Sequence, residues 1–299
     1  MRADLPGKRR GLVFAAIAPH GGLAIAEACS REERMLAAAT RAGMEELGRL
    51  FAAARPEAVI VATPHNVHIA NALGVVVAGR VAGRLAGAPP SVALDVPSAN
   101  DLAWLVLEAL AAAEVPSVGV SFGSNDPDTA VAPMDWGVLI PLWFMGGRDD
   151  PPTPLVVVTP ARDLPASAHI AAGKAIANAA AESGRRVAFI ASADHGHAHV
   201  EGGPYGYHAS AKKYDTLICE LVRSGRLDRL GEIPPELVEE AKADSWWQML
   251  MLHGATEGWT GRLISYEAPT YFGMLTASYA PAPPTRAPQA APDLRAKRR

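Results

Sequence analysis

Residues 11–22 read GLVFAAIAPHGG, an apolar run of eight residues followed by a proline, a histidine and two glycines. An apolar run of this length without polar alternation predicts a strand that is covered on both faces of its sheet. The glycines allow the chain to turn sharply where the strand ends, beside His20. The stretch therefore predicts a buried strand that brings a histidine to one edge of a sheet.

Similar apolar runs recur along the chain, separated by segments with helical periodicity. Further strands are predicted at 58–62, 155–159 and 186–191, and helices at 166–182, 211–223 and 235–253. Residues 30–33 (SREE) have the pattern of a capping box, which predicts the start of another helix. Strands that alternate with helices indicate an α/β fold.

These elements predict one domain over residues 1–280. We expect a layered α/β domain with a central mixed, largely parallel sheet that is flanked by helices. Residues 281–299 are rich in proline, alanine and arginine. A segment of that composition cannot bury enough apolar surface to fold, so it is predicted to be a disordered tail.

The composition disfavours several classes of protein. The net charge is −3, without a long run of one sign in the body of the chain, and nucleic-acid binding usually needs a basic patch to neutralise phosphates. The two cysteines are too few for a disulfide framework or a cysteine-based zinc site, so we expect a cytoplasmic protein. No apolar stretch reaches the roughly 18–20 residues of a membrane-spanning helix, so no membrane partner is expected.

Histidines follow three of the predicted strands. They are His20 after the first strand, His65 and His68 after the second, and His195, His197 and His199 after the strand at 186–191. A lone histidine after a strand is more often an ordinary loop residue. In an open α/β sheet, however, ligands bind beyond the carboxyl ends of the strands, so three such strand ends predict one shared site.

Two metals suit a site of this kind. Neutral imidazoles with one carboxylate, and with open positions left over, describe the facial triad of non-haem Fe(II) oxygenases. Zinc hydrolases use similar ligands. Residue types alone leave both alternatives open.

From residue 11 to residue 279 the chain resembles the class III extradiol dioxygenases, which cleave protocatechuate and gallate. Residues 18–21 (APHG) and 63–66 (TPHN) match the segments in which the family places its two metal-ligating histidines. The resemblance therefore implies that His20 and His65 are metal ligands. It also implies the layered α/β fold.

Residues 192–197 (SADHGH) match in length the segment that ends in the catalytic histidine of the family. The resemblance implies that His197 is the general base and acid. His195 and His199 flank it with a spacing of two, so in an extended segment all three side chains would point the same way. We therefore expect His195 or His199 to orient the substrate or to donate a hydrogen bond to it.

One motif departs from the family. The family often has an Asp-His-Gly segment in mid-chain, whereas residues 135–137 are Asp-Trp-Gly, with Trp136 in place of the histidine. The substrate, or its orientation, is therefore expected to differ from that of the better-known members. Trp246 and Trp247 lie in the last predicted helix, where we expect a packing or interface role.

The resemblance also implies a carboxylate as third ligand, upstream of a Gly-Ala pair that is matched here by Gly254 and Ala255. Spacing to this pair favours Asp244, although the family typically uses glutamate. Glu240 is the better residue type but lies further upstream. Glu239 and Glu267 are further candidates, and the choice between Asp244 and Glu240 stays open.

Together these features predict a non-haem Fe(II) dioxygenase that performs extradiol cleavage of a catechol-like aromatic, with zinc or manganese as alternative metals. The partners are then an aromatic diol and O2, and we expect a homo-oligomer, with a small accessory subunit as the alternative. No obvious arginine cluster marks a carboxylate-bearing substrate. The competing functions are a zinc-dependent hydrolase or lyase, and a non-catalytic binding relative.

Overall fold

The computed structural model describes residues 10–89 and 91–281, which contain eleven strands and seven α-helices. The strands are β1 (Gly11–Ala18), β2 (Ala58–Ala62), β3 (Leu73–Val76), β4 (Arg80–Arg84), β5 (Ala93–Pro97), β6 (Ser117–Val120), β7 (Val131–Pro133), β8 (Leu155–Thr159), β9 (Arg186–Ser192), β10 (Thr260–Glu267) and β11 (Met274–Ala280). The helices are α1 (Ala38–Ala54), α2 (Asn100–Ala112), α3 (Trp136–Phe144), α4 (Ala166–Glu182), α5 (Ala209–Ser224), α6 (Pro235–Glu240) and α7 (Trp246–Ala255).

The central sheet has eight strands in the order β10-β11-β1-β9-β2-β8-β3-β6. Its middle, β1, β9, β2 and β8, is parallel, whereas β11 runs antiparallel to β1 and β3 antiparallel to β8. The residues of β2 and β8 are all buried, as expected for parallel strands covered on both faces. The predicted fold class, a single α/β domain with a mixed sheet, is confirmed.

Two apolar layers cover the sheet. On one face, α2, α4, α5 and α7 contribute buried side chains such as Leu102, Ile176 and Leu250. On the other face, α1 and α3 pack together with a second sheet of three strands, β5-β4-β7. Because both faces are occupied by helices or the second sheet, the ends of the parallel strands are where ligands can reach the fold.

The helix predicted over 235–253 is wrong in one respect, because it is two helices. The chain leaves α6 at Ala241, and Lys242 takes a left-handed conformation with a φ of 53°. The N–H of Ala243 then bonds to the carbonyl of Val238. This turn interrupts the helix before α7 and sets Asp244 in the connection between the two helices.

The capping box at 30–33 forms, but it does not open the long helix. The Ser30 N–H donates to Glu33 Oε2 at 2.8 Å, and the Glu33 N–H donates to Ser30 Oγ at 3.2 Å. The capping box leads only into a single 3-10 turn, Glu33–Met35, and α1 begins at Ala38.

The predicted tail, 281–299, lies outside the described residues apart from its first residue. None of the helices within the described ranges combines the length and the apolar content needed to cross a bilayer.

Candidate active site

A cleft of about 1300 Å³ opens beyond the carboxyl ends of the parallel strands. The segments after β1, β2 and β9 form one part of its wall, and the connection between α6 and α7 faces them. Of the residues that the sequence offered as metal ligands or general base, five line it: His20, His65, His197, Asp244 and Glu239.

His20 follows β1 and is held by groups at the end of β9. Its backbone N–H donates to Asp194 Oδ1 at 3.0 Å. Ser192 Oγ donates to the Gly137 carbonyl and lies 2.9 Å from His20 Nδ1, so it accepts the Nδ1 hydrogen. This hydrogen bond fixes the imidazole tautomer and leaves Nε2 as the nitrogen that faces the cleft.

His65 and Asp244 meet His20 at one point. His65 Nε2 lies 3.1 Å from His20 Nε2, and Asp244 Oδ2 lies 3.3 Å from His20 Nε2 and 3.7 Å from His65 Nε2. The His65 ring is packed between the His20 ring and the Trp136 ring, with centroids 4.8 and 4.2 Å away. Three side chains from distant parts of the sequence therefore present their donor atoms to the same space.

The three side chains fit a divalent metal ion. Their ligand atoms all lie within 4.8 Å of one another, and Asp244 Oδ1 is buried without a hydrogen-bond partner. A buried carboxylate oxygen without a partner is costly unless a cation or donor compensates it. Two imidazoles and one carboxylate are the donor set of the facial triad, and zinc accepts the same set.

The surroundings of the cluster shift the pKa values of the two imidazoles in opposite directions. Burial opposes protonation of His20, but the carboxylates of Asp194 and Asp244 outweigh it and raise its pKa to about 9. Burial, together with the neighbouring His20, lowers the pKa of His65 to about 3, and the charge of Arg162 acts in the same direction. The pKa of Asp244 is lowered because the attraction of His20 outweighs the opposing effect of burial. The cluster thus keeps a carboxylate anion and a neutral His65 side by side.

His197 lines the cleft beside this cluster. Its Nδ1 lies 2.7 Å from the His195 carbonyl and donates to it, so Nε2 is left to exchange a proton. The ring is stacked on Phe272, with centroids 5.5 Å apart and an interplanar angle of 18°. Tyr205 and Tyr271 flank it at 5.8 and 6.0 Å. The aromatic rings therefore fix the position of the imidazole from three sides.

The expectation that His195, His197 and His199 point the same way is wrong. The His195 ring is fully buried behind the cleft wall, and both of its nitrogens lack partners among the described residues. His199 Nε2 instead donates to Asp215 Oδ2 at 2.9 Å. Strand-like alternation fails because the His197 N–H bonds to the Ala241 carbonyl, whereas the two neighbouring histidines bond to Gly273 and Tyr271. Neither His195 nor His199 lines the cleft.

The structure distinguishes Asp244 from Glu240 by position, because only Asp244 lies beside the two histidines. Glu240 Oε2 accepts from Ser210 Oγ at 2.7 Å and lies outside the cleft lining. Glu267 Oε1 accepts the Thr40 N–H at 2.5 Å near the start of α1. Glu239 lines the cleft but is not part of the cluster of metal-binding type. His68, the second histidine after β2, is exposed and lines a small neighbouring depression.

The sequence reasoning missed Asp194. Its side chain is buried, lines the cleft, and places Oδ2 3.5 Å from His20 Nε2. Burial raises the pKa of this carboxyl, although the charge of His20 opposes the effect. Its position in the sequence could have indicated a place in the site, because it comes just after β9, in the same strand-end segment as His197.

Known proteins resemble this chain over most of its length. Residues 14–276 match the family described as the catalytic LigB subunit of aromatic ring-opening dioxygenase. Protein CA_C1420 of Clostridium acetobutylicum is 25% identical over 256 residues, which cover 83% of this chain and 53% of that protein. The chain thus spans about half the length of this curated relative.

A solved structure supports the fold. The crystal structure of the uncharacterized protein JW3007 from Escherichia coli K12 superposes with a TM-score of 0.55 and 17% identity, over 89% of this chain and 99% of that chain. At this level of identity the likeness concerns the arrangement of strands and helices.

Proposed function

Because the chain belongs to the family of catalytic LigB subunits of aromatic ring-opening dioxygenases, we propose that it is a non-haem Fe(II) enzyme that cleaves a catechol-like ring beside its diol. In this reaction a carbon–carbon bond of the ring breaks and both atoms of O2 enter the product. The observation that carries the proposal is the convergence of His20 Nε2, His65 Nε2 and Asp244 Oδ2 on one point of the cleft.

These three residues would hold the metal. Fe(II), when bound, would supply a common template for the diol and O2 and the electrons that O2 activation requires. Ser192 supports the site by fixing the tautomer of His20, and Trp136 supports it by packing on the His65 ring. Such outer contacts orient ligands and commonly change metal affinity or activity by about 10–100-fold when removed.

His197 would move the proton. Its Nδ1 hydrogen is committed to the His195 carbonyl, so Nε2 accepts a proton from a diol hydroxyl and later returns it as the ring opens. An imidazole suits both steps because its ordinary pKa lies near neutral pH. The stack on Phe272 holds the ring so that this exchange needs no reorientation.

The cleft offers an aromatic ring apolar surfaces next to these polar groups. Trp136 and Phe272 both line it, as do Tyr205 and Tyr271. Aromatic side chains hold rings by offset or edge contacts. An aromatic diol therefore suits the walls of the cleft as well as the polar cluster inside it.

The test is O2 uptake by the protein purified without O2 and reconstituted with Fe(II), over a panel of catechols, with absorbance recording a yellow ring-opened product. We expect uptake that requires Fe(II). His20→Ala and His197→Ala should each abolish the uptake. Of these two variants, only His20→Ala should also abolish metal binding.

The matched control is His208→Ala, because His208 is a half-exposed histidine that pairs with Glu240 outside the cleft. It should leave uptake unchanged. Tightly bound zinc with no O2 uptake on any catechol would instead favour a hydrolase or lyase, and no metal binding at all would favour a binding relative.

A further inference from the structure

Behind the cleft wall lies a buried carboxylate to which the proposed reaction gives no role. Asp215, on α5, is 1% exposed and lies outside the cleft lining. Its Oδ1 accepts the Gly196 N–H at 2.7 Å, and its Oδ2 accepts from the Tyr266 hydroxyl at 2.6 Å and from His199 Nε2 at 2.9 Å. A buried carboxylate is costly unless donors surround it in this way. Donors from three separate positions of the chain therefore converge on this one side chain.

The hydrogen bond from Gly196 connects Asp215 to His197. The Gly196 N–H and the His195 carbonyl belong to the same trans peptide unit, which is planar and directs the two groups to opposite sides. Asp215 accepts the N–H on one side, and His197 Nδ1 donates to the carbonyl on the other side at 2.7 Å. A chain of two hydrogen bonds therefore runs from the carboxylate through one peptide unit to the imidazole.

The backbone beside this peptide unit is packed closely against α5. A Cβ on Gly196 would lie 2.9 Å from the Cα of Ala211, one helical turn before Asp215. A Cβ on Gly273 would lie 2.0 Å from Oδ2 of the same aspartate, and the Gly273 N–H donates to the Gly196 carbonyl at 3.0 Å. The lack of side chains at these two glycines lets the segment that carries His197 lie directly on the carboxylate.

We propose that Asp215 is a positioning residue, which acts on His197 through the peptide unit between His195 and Gly196. The carboxylate polarises this peptide, so the carbonyl oxygen becomes a stronger acceptor for the Nδ1 hydrogen, as hydrogen bonds in a chain strengthen one another. Asp215 thereby keeps the imidazole hydrogen on Nδ1 and leaves Nε2 without one. The consequence for catalysis rests on the proposed function, whereas the consequence for the imidazole tautomer does not.

The tautomer can be measured without any reaction, by nitrogen-15 NMR of the imidazole rings in the full-length protein loaded with Zn(II), a diamagnetic ion. The signals of His197 are identified by their absence from His197→Gln. We expect a hydrogen on Nδ1 alone in the unchanged protein. Asp215→Ala should give a mixture with the Nε2–H form. Asp215→Asn should restore the unchanged pattern, because its amide oxygen can still accept the Gly196 N–H.

Turnover of a catechol by the Fe(II)-loaded protein measures the effect on catalysis. Asp215→Ala should lower kcat by up to about 100-fold, because a displaced reacting group loses its alignment. KM should stay nearly unchanged, because Asp215 lies outside the cleft lining. Tyr266→Phe removes one donor from the carboxylate and should shift the tautomer and kcat in the same direction but less. This second variant decides the matter if Asp215→Ala does not fold.

The matched control is Tyr279→Phe, because the Tyr279 hydroxyl is buried on β11 without a hydrogen-bond partner within the described ranges. It should leave the tautomer and kcat unchanged. An Nδ1–H tautomer that survives Asp215→Ala, or losses as large in Asp215→Asn as in Asp215→Ala, would overturn the proposal. A catechol-cleaving protein whose kcat is unaffected by Asp215→Ala would overturn it too. A tautomer that depends on Asp215 in a protein without catechol turnover would uphold the positioning role and count against ring cleavage.

Discussion

Asp244 and Glu240 are four residues apart, yet they occupy different environments. The Asp244 carboxylate faces two imidazoles inside the cleft, whereas Glu240 lies outside the cleft lining and accepts a hydrogen bond from Ser210. A neutral amide cannot replace a carboxylate as an anionic metal ligand. The identity of the third ligand is therefore open to a direct test.

We predict that Asp244→Asn lowers the affinity for a divalent metal by more than about 100-fold, beyond the usual effect of an outer-contact mutation. Glu240→Gln should change it by less than about threefold. Competition with a chelating dye measures both. Equal losses in the two variants would mean that Asp244 is not a ligand.

His169, in α4, is a buried histidine outside the cleft. Its Nδ1 donates to the Pro165 carbonyl at 3.1 Å, and Nε2 has no partner among the described residues. Burial lowers its pKa below the ordinary 6.5. Below about pH 6.5 the unfolded chain therefore binds a proton that the folded chain does not, and the free energy of unfolding falls as the pH falls toward the lowered pKa.

We predict that His169→Gln makes the protein less sensitive to acid. One proton accounts for at most about 1.4 kcal/mol per pH unit. The slope of unfolding free energy against pH, from urea titrations at about pH 7.5 and about pH 5.5, should be smaller than in the unchanged protein by up to this amount. His68→Gln, at an exposed position, serves as the control. Identical slopes in all three proteins would contradict the assignment.

The strand-end histidines could be predicted because a histidine after a buried parallel strand must lie near the same sheet edge. His20 and His65 do so. The directions of His195 and His199 could not be predicted, because residues 195–199 bond alternately to Gly273, Ala241 and Tyr271. Those partners come from two elements that are remote in sequence, and no local pattern reveals them.

At the scale of the elements, the backbones of α4 and α7 lie in close contact. A Cβ on Gly254 would lie 2.0 Å from the Ile170 carbonyl oxygen, and a Cβ on Gly173 would lie 1.9 Å from that of Met251. The two helices can approach so closely only where both lack side chains. The contact fixes α7, and with it Trp246, Trp247 and the turn that carries Asp244.

We predict that Gly254→Ala lowers the free energy of unfolding by about 1–3 kcal/mol or more, because backbone on both sides of the contact must move. Gly202→Ala places its Cβ in open space and should change stability by less than about 0.5 kcal/mol. Urea denaturation measures both. A Gly254 variant as stable as the control would show that the helices can separate without cost.

The break between α6 and α7 shows why the helix boundaries were harder to predict than the helices themselves. Residues 235–253 have a continuous helical pattern, and a lysine is a good helix former. The left-handed Lys242 belongs to a local capping turn, in which the Lys242 N–H bonds to the Glu239 carbonyl and the Ala243 N–H to the Val238 carbonyl. A capping turn of this kind usually carries glycine, so the lysine gave no sign of it in the sequence.

At the scale of the whole molecule, the candidate metal centre joins the segments after β1 and β2 to the turn before α7. A ligand that binds only the folded chain stabilises it, by about 2.7 kcal/mol at a free concentration of 100 times its Kd. Metal binding and global stability are therefore linked.

We predict that Fe(II), added without O2, raises the Tm in a concentration-dependent way and that a chelator reverses the rise. His20→Ala should abolish the effect, because the site loses one of its three donors. His208→Ala should keep it. Differential scanning fluorimetry measures the Tm of each protein. A Tm that does not change with the metal concentration would argue against a metal held by these residues.

The overall architecture could be predicted from the alternation of apolar runs and helical segments in the sequence, since buried parallel strands need helices on both faces. The order of the strands in the sheet could not be predicted from the sequence, because it depends on how distant segments pair. The second sheet, β5-β4-β7, is one such pairing.

The position of β1 has a consequence for synthesis on the ribosome. Among the strands of the described residues it is made first, yet it pairs with β9 on one side and β11 on the other, and both emerge late. Until then its two edges are open to any extended chain nearby, which is the situation that invites aggregation. The protein should therefore depend on chaperones during translation more than a fold whose strands pair in the order they are made.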